Sequence, residues 1–137
     1  MKYYVGQSAE FAKTISESDV YTFAGVSGDF NPVHINAEAA RKTVFKERIV
    51  HGALTASLIS TVLGNKLPGE GTIYLEQNSK FVKPVKIGDT ITAVVAITEI
   101  NGNKALLDTI VYNQNKECVL EGTARVMLPE KRYDECV

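Results

Sequence analysis

The spacing of hydrophobic and polar positions changes about halfway along the chain, and the change separates helices from strands. Residues 52–64 read GALTASLISTVLG, with no charged residue and with apolar or small side chains on every face. A helix without a polar stripe is a buried helix, and this segment is too short to span a bilayer. The pattern predicts one buried helix at the centre of the fold.

After this helix, apolar and polar positions alternate, which is typical of strands. Asn101-Gly102 predicts a hairpin turn between two of them. Pro129 is expected to end the last strand. The strand-like runs carry Ile73, Leu75 and Phe81; Ile91, Ala93, Val95 and Ile97; residues 105–112; and Cys118, Leu120, Gly122, Ala124, Val126 and Leu128.

The first part of the chain predicts short elements. Residues 27–35 are expected to be irregular, because Gly28, Asn31 and Pro32 resist regular structure. Before this stretch we expect a short strand or extended arm at residues 11–15, followed by a helix that the capping pair Ser16 and Asp19 opens and that ends near Gly25. After it we expect a second short helix, which Asn36 caps and which runs through Lys42.

The order of these elements predicts the architecture. A buried helix precedes four long strands, and an N-terminal strand is available to join them, so the economical packing wraps an antiparallel sheet around the helix. We therefore expect an α+β fold in a single domain of residues 1–137, with residues 129–137 as a C-terminal tail. Such a sheet has open edges, and pairing across an edge in a homodimer would protect them.

Composition narrows the class of protein. The 137 residues are 45% hydrophobic and 23% charged, and the net charge of −1 argues against nucleic acid as a partner. Residues 1–7 lack the apolar core of a signal peptide, and no run is long enough for a membrane span, so we expect a cytoplasmic protein. Cys118 and Cys136 are not expected to form a disulfide, and no paired cysteine or histidine spacing predicts a metal site.

The candidate chemistry lies around the two histidines, His34 and His51. Asp29 precedes His34 by five residues, and a turn held by Gly28 and Pro32 can bring the carboxylate and the imidazole to one point. Sharing one water molecule, they would form a general acid–base pair. An aspartate in such a turn can instead satisfy backbone amides only.

Gly52 adds a second candidate feature. If the buried helix begins there, its amide is one of the unpaired N–H groups of the helix N-terminus, where a developing negative charge is favoured. A thioester oxygen could be held at that oxyanion hole. The alternative is that Gly52 permits close packing, and His51 is interpreted as a structural residue that orients the turn.

Residues 23–40 resemble the signature of the MaoC-like (R)-specific enoyl-CoA hydratases, the hydratase 2 family. That signature contains Gly-Asp-x-Asn-Pro-aliphatic-His, preceded by an aromatic residue and followed after five positions by Ala or Ser. The matching residues are Phe23, Val26, Ser27, Gly28, Asp29, Asn31, Pro32, Val33, His34 and Ala40. Residues 49–52, 67–71 and 81–89 are also similar to the family, so that the resemblance covers about residues 20–128.

The resemblance implies a hot-dog fold and a homodimeric enzyme of fatty acid metabolism that binds acyl-CoA. It implies no cofactor, because CoA is part of the substrate. By the same resemblance, Asp29 and His34 are catalytic and activate water, and the Gly52 N–H takes the thioester oxygen. Three further substrate-site residues are implied: Ser60, which either bonds a catalytic partner or lines the pocket; Leu63, which either limits chain length or packs in the core; and Asn31, which braces the turn.

Hydration of trans-2-enoyl-CoA to the (R)-3-hydroxyacyl-CoA is the leading hypothesis. A 3-hydroxyacyl-[acyl-carrier-protein] dehydratase would use the same pair in reverse. A hot-dog thioesterase is a weaker alternative, because the central helix carries no acid, and a non-catalytic thioester-binding module would not need the pair. Four cations are candidates for binding the CoA phosphates: Arg48, Lys80, Lys83 and Lys86. Each of them can equally be a solvated surface residue.

Overall fold

Five antiparallel strands and four helices make up residues 2–129, the part of the chain that the structure, a computed structural model, describes. The strands form one sheet in the order β1-β3-β4-β5-β2, so that β1 and β2 are its edges. The elements in chain order are β1 (Ser8–Thr14), α1 (Glu17–Ser27), α2 (Pro32–Ile35), α3 (Ala37–Arg41), α4 (Gly52–Asn65), β2 (Ile73–Phe81), β3 (Thr90–Asn101), β4 (Lys104–Tyr112) and β5 (Cys118–Met127).

The sheet curls around α4. This helix contacts β1, β2, β3 and β4. Strands lie about 4.8 Å apart in a sheet, and a helix is about 10 Å wide, so α4 can reach both edge strands only if the sheet bends around it. Leu58, Ile59, Val62 and Leu63 of α4 are buried in the core. The predicted buried central helix and the α+β architecture are confirmed.

The core side of the sheet follows the predicted alternation on the central strands. Ile91, Ala93, Val95 and Ile97 of β3 are fully or almost fully buried. The predicted hairpin is also confirmed, since β3 ends at Asn101 and Gly102 adopts a positive φ of 62° before β4 begins. A glycine suits that left-handed position because it has no Cβ.

Several predicted boundaries were wrong. β1 begins at Ser8 rather than at residue 11. The capping box of Ser16 and Asp19 opens α1 as expected, but the helix continues past Gly25, because it is Gly28 that takes the left-handed conformation ending it. Residues 27–35 are not irregular throughout, since Pro32 occupies the first turn of α2, where a missing N–H costs nothing. Asn36 caps α3 as expected.

The expected apolar face of β2 is exposed. Ile73, Leu75 and Phe81 are 53%, 44% and 56% exposed. β2 pairs only with β5, and a β-bulge between Tyr74 and Glu76 shifts its register. Alternation therefore predicted the strand correctly but did not predict what covers its apolar side chains.

The predicted C-terminal tail, residues 129–137, lies outside the described residues except for Pro129, and so does Cys136. Cys118 lies at the start of β5 as a free thiol, and burial raises its pKa. Within residues 2–129 the helices are all too short or too polar to cross a bilayer.

Candidate active site

The loop between α1 and α2 is organised by short side chains that bond its own backbone. Asp29 Oδ1 accepts the N–H of Asn31 at 3.1 Å, and Asn31 Oδ1 accepts the N–H of Val33 at 3.3 Å. The second bond caps α2, on which His34 lies. The sequence Asp-x-Asn-Pro thus builds a turn that brings an acidic residue and a histidine onto neighbouring backbone segments.

Three titratable side chains converge there. Asp29, His34 and His51 each place one carboxylate oxygen or ring nitrogen within 4.8 Å of the others. Asp29 is exposed, whereas His34 and His51 are buried. The acid and the imidazole that the sequence predicted to meet therefore lie close together, with the carboxylate on the solvent side.

His34 is oriented by the backbone of the segment that precedes α4. Its Nδ1 lies 2.7 Å from the carbonyl oxygen of Ile49. A carbonyl oxygen only accepts, so Nδ1 carries the donated proton and Nε2 keeps a lone pair in the neutral ring. A free imidazole lone pair is what a general base requires.

An apolar cavity of about 530 Å³ opens along the segment that holds the two histidines: Ile49, whose carbonyl contacts His34, and Gly52, which follows His51, line it, whereas the three titratable side chains do not. It is bounded by the start of α4 and by the end of β2, with Gly52 and Phe81 on its wall. A Cβ at Gly52 would lie 2.8 Å from Phe81 Cε1, so no larger residue fits without moving that ring. The other lining residues are Phe45, Ile49, Val50, Thr55, Val82, Lys83, Pro84, Val85 and Val119.

Gly52 is the first residue of α4, and no side chain caps the helix. The first N–H groups of a helix have no partner within it. The structure is thus compatible with both interpretations of Gly52, a close-packing residue against Phe81 and an amide at a helix N-terminus beside a cavity.

The family model of the MaoC-like domain matches residues 3–118 of the chain. This protein belongs to the MaoC-like domain family.

Comparison of this MaoC-like protein with individual proteins gives the same family. An (R)-specific enoyl-CoA hydratase of Rhodospirillum rubrum is 51% identical over 127 residues, which is 92% of this chain and 88% of the relative. A mitochondrial 3-hydroxyacyl-[acyl-carrier-protein] dehydratase of Arabidopsis thaliana is 33% identical, over 91% of this chain and 77% of its own. The solved (R)-hydratase of Aeromonas caviae matches with a TM-score of 0.90 and 42% identity, over 93% and 98% of the two chains. The expected hot-dog fold is confirmed.

The three predicted substrate-site residues of this MaoC-like protein lie in different surroundings. Asn31 caps α2 and bonds the Asp29 carboxylate through its backbone, as described above. Ser60 is exposed on α4 and is not among the residues that line the cavity. Leu63 is buried within the hydrophobic core. Of the three, Asn31 alone is bonded to a member of the cluster.

Thr55 lines the cavity but was not predicted from the sequence as a site residue. This residue is 2% exposed, lies one turn after Gly52 and lines the cavity, and its Oγ1 has no hydrogen-bond partner. The sequence did not single it out, because α4 also carries Ser57, Ser60 and Thr61, and only the burial of Thr55 distinguishes it from them.

Three of the four candidate cations are held in ion pairs. Arg48 binds Glu17 at 3.1 Å and donates to the Tyr21 hydroxyl at 2.8 Å. Hydrogen bonds from Tyr21 and Arg48 hold the pKa of the Glu17 carboxyl below its ordinary value. The other two pairs are Lys83 with Glu117 and Lys86 with Glu47, while Lys80 is exposed on β2.

Asp29, His34 and His51 are also residue types that bind metal ions. The two rings stack with their centroids 3.9 Å apart and their planes 27° apart. Ring lone pairs lie in the ring plane, so two stacked imidazoles direct them nearly side by side rather than at a common point. The geometry fits a shared metal ion poorly, and the expectation of no metal or cofactor stays a prediction.

Proposed function

We propose that this chain is an (R)-specific hydratase that adds water to the double bond of trans-2-enoyl-CoA. The observation that carries the proposal is the approach of the Asp29 carboxylate to the His34 imidazole. The His34 ring contacts the carbonyl of Ile49, which lines an apolar cavity. Two relatives that are 51% and 43% identical over most of their length are (R)-specific enoyl-CoA hydratases, which supports the same reaction class here.

The proposed reaction uses both members of the pair. Asp29 and the lone pair of His34 Nε2 hold one water molecule, and one of them takes its proton as hydroxide adds to the β-carbon. The pair then supplies a proton to the α-carbon, so that the elements of water are added across the double bond. General acid–base catalysis of this kind contributes about 10²–10⁴-fold in rate.

The Gly52 N–H is proposed as the oxyanion donor. Addition of hydroxide to the β-carbon produces an enolate whose charge lies on the thioester oxygen until a proton is transferred to the α-carbon. The N-terminal end of α4 favours a negative charge there, and a preorganised N–H donor stabilises it more in a water-poor cavity than in water.

The cavity suits an acyl chain. Its volume of about 530 Å³ lies within the range typical of small-molecule sites, and such sites are mainly apolar with a few polar groups. Asn31 is proposed to brace the catalytic turn. Three expectations from the sequence stay predictions: substrate contacts of Ser60 and Leu63, binding of the CoA phosphates by the four candidate cations, and a cytoplasmic location.

A homodimer is part of the proposal. Five large apolar side chains of β2 and the residue after it are exposed, and we call them the β2 patch: Ile73, Tyr74, Leu75, Phe81 and Val82. Exposed apolar patches at a sheet edge mark surfaces that pair with another chain. Phe81 and Val82 also line the cavity, so a second copy covering the patch would help to enclose the substrate.

The test of the catalytic pair is hydration of crotonyl-CoA, followed as loss of ultraviolet absorbance with chiral analysis of the product. Asp29→Asn and His34→Ala are expected to lower the rate about 10²–10⁴-fold. Asp108→Asn is the matched control, since Asp108 is an exposed carboxylate on β4. Near-wild-type rates in either site variant would rule out the mechanism.

A dehydratase acting on acyl-carrier-protein thioesters is the second candidate, favoured by the Arabidopsis relative. The ratio of kcat/KM for matched CoA and carrier-protein thioesters separates the two. Release of free CoA, measured in the same assays, tests the thioesterase alternative. The absence of an acidic residue from α4 counts against that alternative.

A further inference from the structure

The apolar cavity adjoins a second cavity of different character. The second cavity has a volume of about 470 Å³, and we call it the polar cavity, because its lining includes Lys86, Asn115 and Glu117. Lys83 and Pro84, which follow the end of β2, line both cavities. An apolar space and a polar space therefore meet at these two residues, and we call that place the junction.

Lys83 is divided between the two spaces. Within residues 2–129, it is the one charged residue that lines the apolar cavity. Its Nζ forms an ion pair with Glu117, which lines the polar cavity and not the apolar one. Lysine commonly lays its carbon chain along an apolar surface and keeps its ammonium group in a polar environment. The ammonium group of Lys83 thus lies on the polar side of the junction.

Glu117 is held in place by the turn between β4 and β5. Asn113 Oδ1 accepts the N–H of Glu117 at 3.0 Å, and Asn113 Nδ2 donates to Glu117 Oε1 at 3.0 Å. Hydrogen bonds from Lys83 and Asn113 hold the pKa of the Glu117 carboxyl below its ordinary value. The carboxylate is therefore charged near neutral pH, and it keeps the Lys83 ammonium group at the junction.

This ion pair is open to exchange with another anion. The side chains of Lys83 and Glu117 are 50% and 40% exposed, and exposed ion pairs contribute little to stability. A phosphate carries up to two charges and offers several acceptor oxygens, and lysine binds it well as a point charge. A phosphate at the junction can therefore replace Glu117 on the ammonium group.

We propose that Lys83 binds a phosphate of the thioester carrier at the junction, in exchange for Glu117. The inference rests on the proposed function, which supplies a substrate with an apolar acyl end and a phosphorylated carrier end. The acyl group and the thioester then occupy the apolar cavity, where Gly52 lies, and the carrier arm leaves that cavity through the junction. CoA and acyl carrier proteins both present thioesters on a phosphopantetheine arm, so either source supplies the phosphate.

The other three candidate cations are less well placed. Lys86 lines the polar cavity but not the apolar one, and it pairs with Glu47. Arg48 lines a different cavity and is only 17% exposed in its pair with Glu17. Lys80 lines neither the apolar nor the polar cavity. The structure therefore favours Lys83 among the four.

The kinetic test compares two thioesters that differ in their phosphates. Crotonyl-pantetheine has the acyl group and thioester of crotonyl-CoA but no phosphate. We expect Lys83→Met to raise KM for crotonyl-CoA about three- to tenfold and to leave kcat within about twofold, because the contact is the same in the ground and transition states. KM for crotonyl-pantetheine should not change, and Lys83→Arg should keep most of the affinity for crotonyl-CoA.

Glu117→Gln supplies a change of opposite sign. It removes the competing charge but keeps an oxygen for Asn113, so KM for crotonyl-CoA should fall while KM for crotonyl-pantetheine stays the same. Lys13→Met is the matched control for the lysine, because Lys13 forms a comparably exposed ion pair with Asp19 from the opposite edge strand. Asp108→Asn is the control for the acid.

The two thioesters also define the outcomes against the inference. Equal effects of Lys83→Met on both substrates, or no effect on either, would leave Lys83 as a solvated surface residue. Crotonyl-phosphopantetheine distinguishes the two sources of phosphate. If its KM also rises in Lys83→Met, the bound phosphate is the one that CoA and carrier proteins share, whereas a rise for crotonyl-CoA alone assigns a phosphate of its nucleotide.

Binding of free CoA tests the site without activity. Isothermal titration calorimetry should show that Lys83→Met weakens CoA binding about three- to tenfold, and that high salt reduces the difference from the wild type. Unchanged CoA affinity in Lys83→Met, or no CoA binding by the wild type, would overturn the inference even in an active hydratase. A chain that binds CoA through Lys83 but hydrates neither thioester would instead refute the proposed function.

Discussion

Strands β3 and β2 both carry apolar residues at alternating positions, but the structure buries those of β3 and exposes those of β2. The alternate residues of β3 from Ile91 to Ile97 are buried, whereas Ile73, Leu75 and Phe81 of β2 are about half exposed. β3 is paired on both sides, by β1 and β4, and contacts α4 most extensively, while β2 is paired with β5 alone. Apolar alternation therefore specifies a strand, but it does not specify whether other residues of the same chain cover the apolar side chains of that strand.

The exposed strand also adjoins the proposed oxyanion donor. Phe81 of β2 packs against Gly52 at the start of α4 and lines the cavity. β3 stabilises the fold, and β2 lies between the proposed oxyanion donor and an uncovered surface. This difference predicts that changes in the two strands will affect different properties of the protein.

The largest effect on folding is expected in β3. Ile97→Ala removes a buried side chain from the core and should lower the free energy of unfolding by about 2–5 kcal/mol. Ile73→Ala is the matched change in β2, and it should cost within about 0.5 kcal/mol when the protein is dilute enough to be monomeric. Denaturant unfolding at several protein concentrations measures both. Equal losses at every concentration would remove the distinction.

A charge in the β2 patch should act on assembly instead. Leu75→Lys places an ammonium group on a surface that the proposed homodimer buries, and loss of a central interface side chain costs about 2–4 kcal/mol of association free energy. Analytical ultracentrifugation should show a shift towards monomer, with hydration activity falling in parallel. Asp108→Asn again serves as the control, and an unchanged dimer in Leu75→Lys would exclude this surface as the interface.

The attachment of β2 to the sheet depends on Gly122 of β5. A Cβ there would lie 1.8 Å from the carbonyl oxygen of Asn78, which is a backbone atom and cannot rotate away. Gly122→Ala should therefore force β2 from β5 and cost about 1–3 kcal/mol. Thermal unfolding measures the loss.

Gly25 is the control for that change, because a Cβ there meets nothing within 4 Å and the residue lies inside α1. Gly25→Ala should leave the protein unchanged or stabilise it by up to about 1 kcal/mol. Similar melting temperatures for Gly122→Ala and Gly25→Ala would contradict the close approach of β2 and β5.

The sequence predicted the elements whose signals are local. The uncharged run of α4, the Asn101-Gly102 hairpin and the capping box of Ser16 and Asp19 were all read correctly, because each depends on residues a few positions apart. The end of α1 was misplaced because two glycines stood close together and only the backbone conformation distinguishes Gly28 from Gly25.

The candidate site was predicted in part for the same reason. Asp29 and His34 are five residues apart and meet through one turn, so their approach was foreseeable. The contact of His51 Nε2 with the Asp29 carbonyl was not, because it joins residues 22 positions apart. The burial of Thr55 was not foreseeable either, because it depends on the packing of α4 against the sheet.

By itself the sequence determined the order of helices and strands, the buried character of α4 and the family to which the chain belongs. The tertiary structure decided which apolar faces are covered, which backbone carbonyl each histidine ring contacts and which buried polar atoms of residues 2–129 remain unpaired. Local propensity depends on neighbours along the chain, whereas burial and hydrogen-bond pairing depend on neighbours in space, and those exist only after the sheet has closed around the helix.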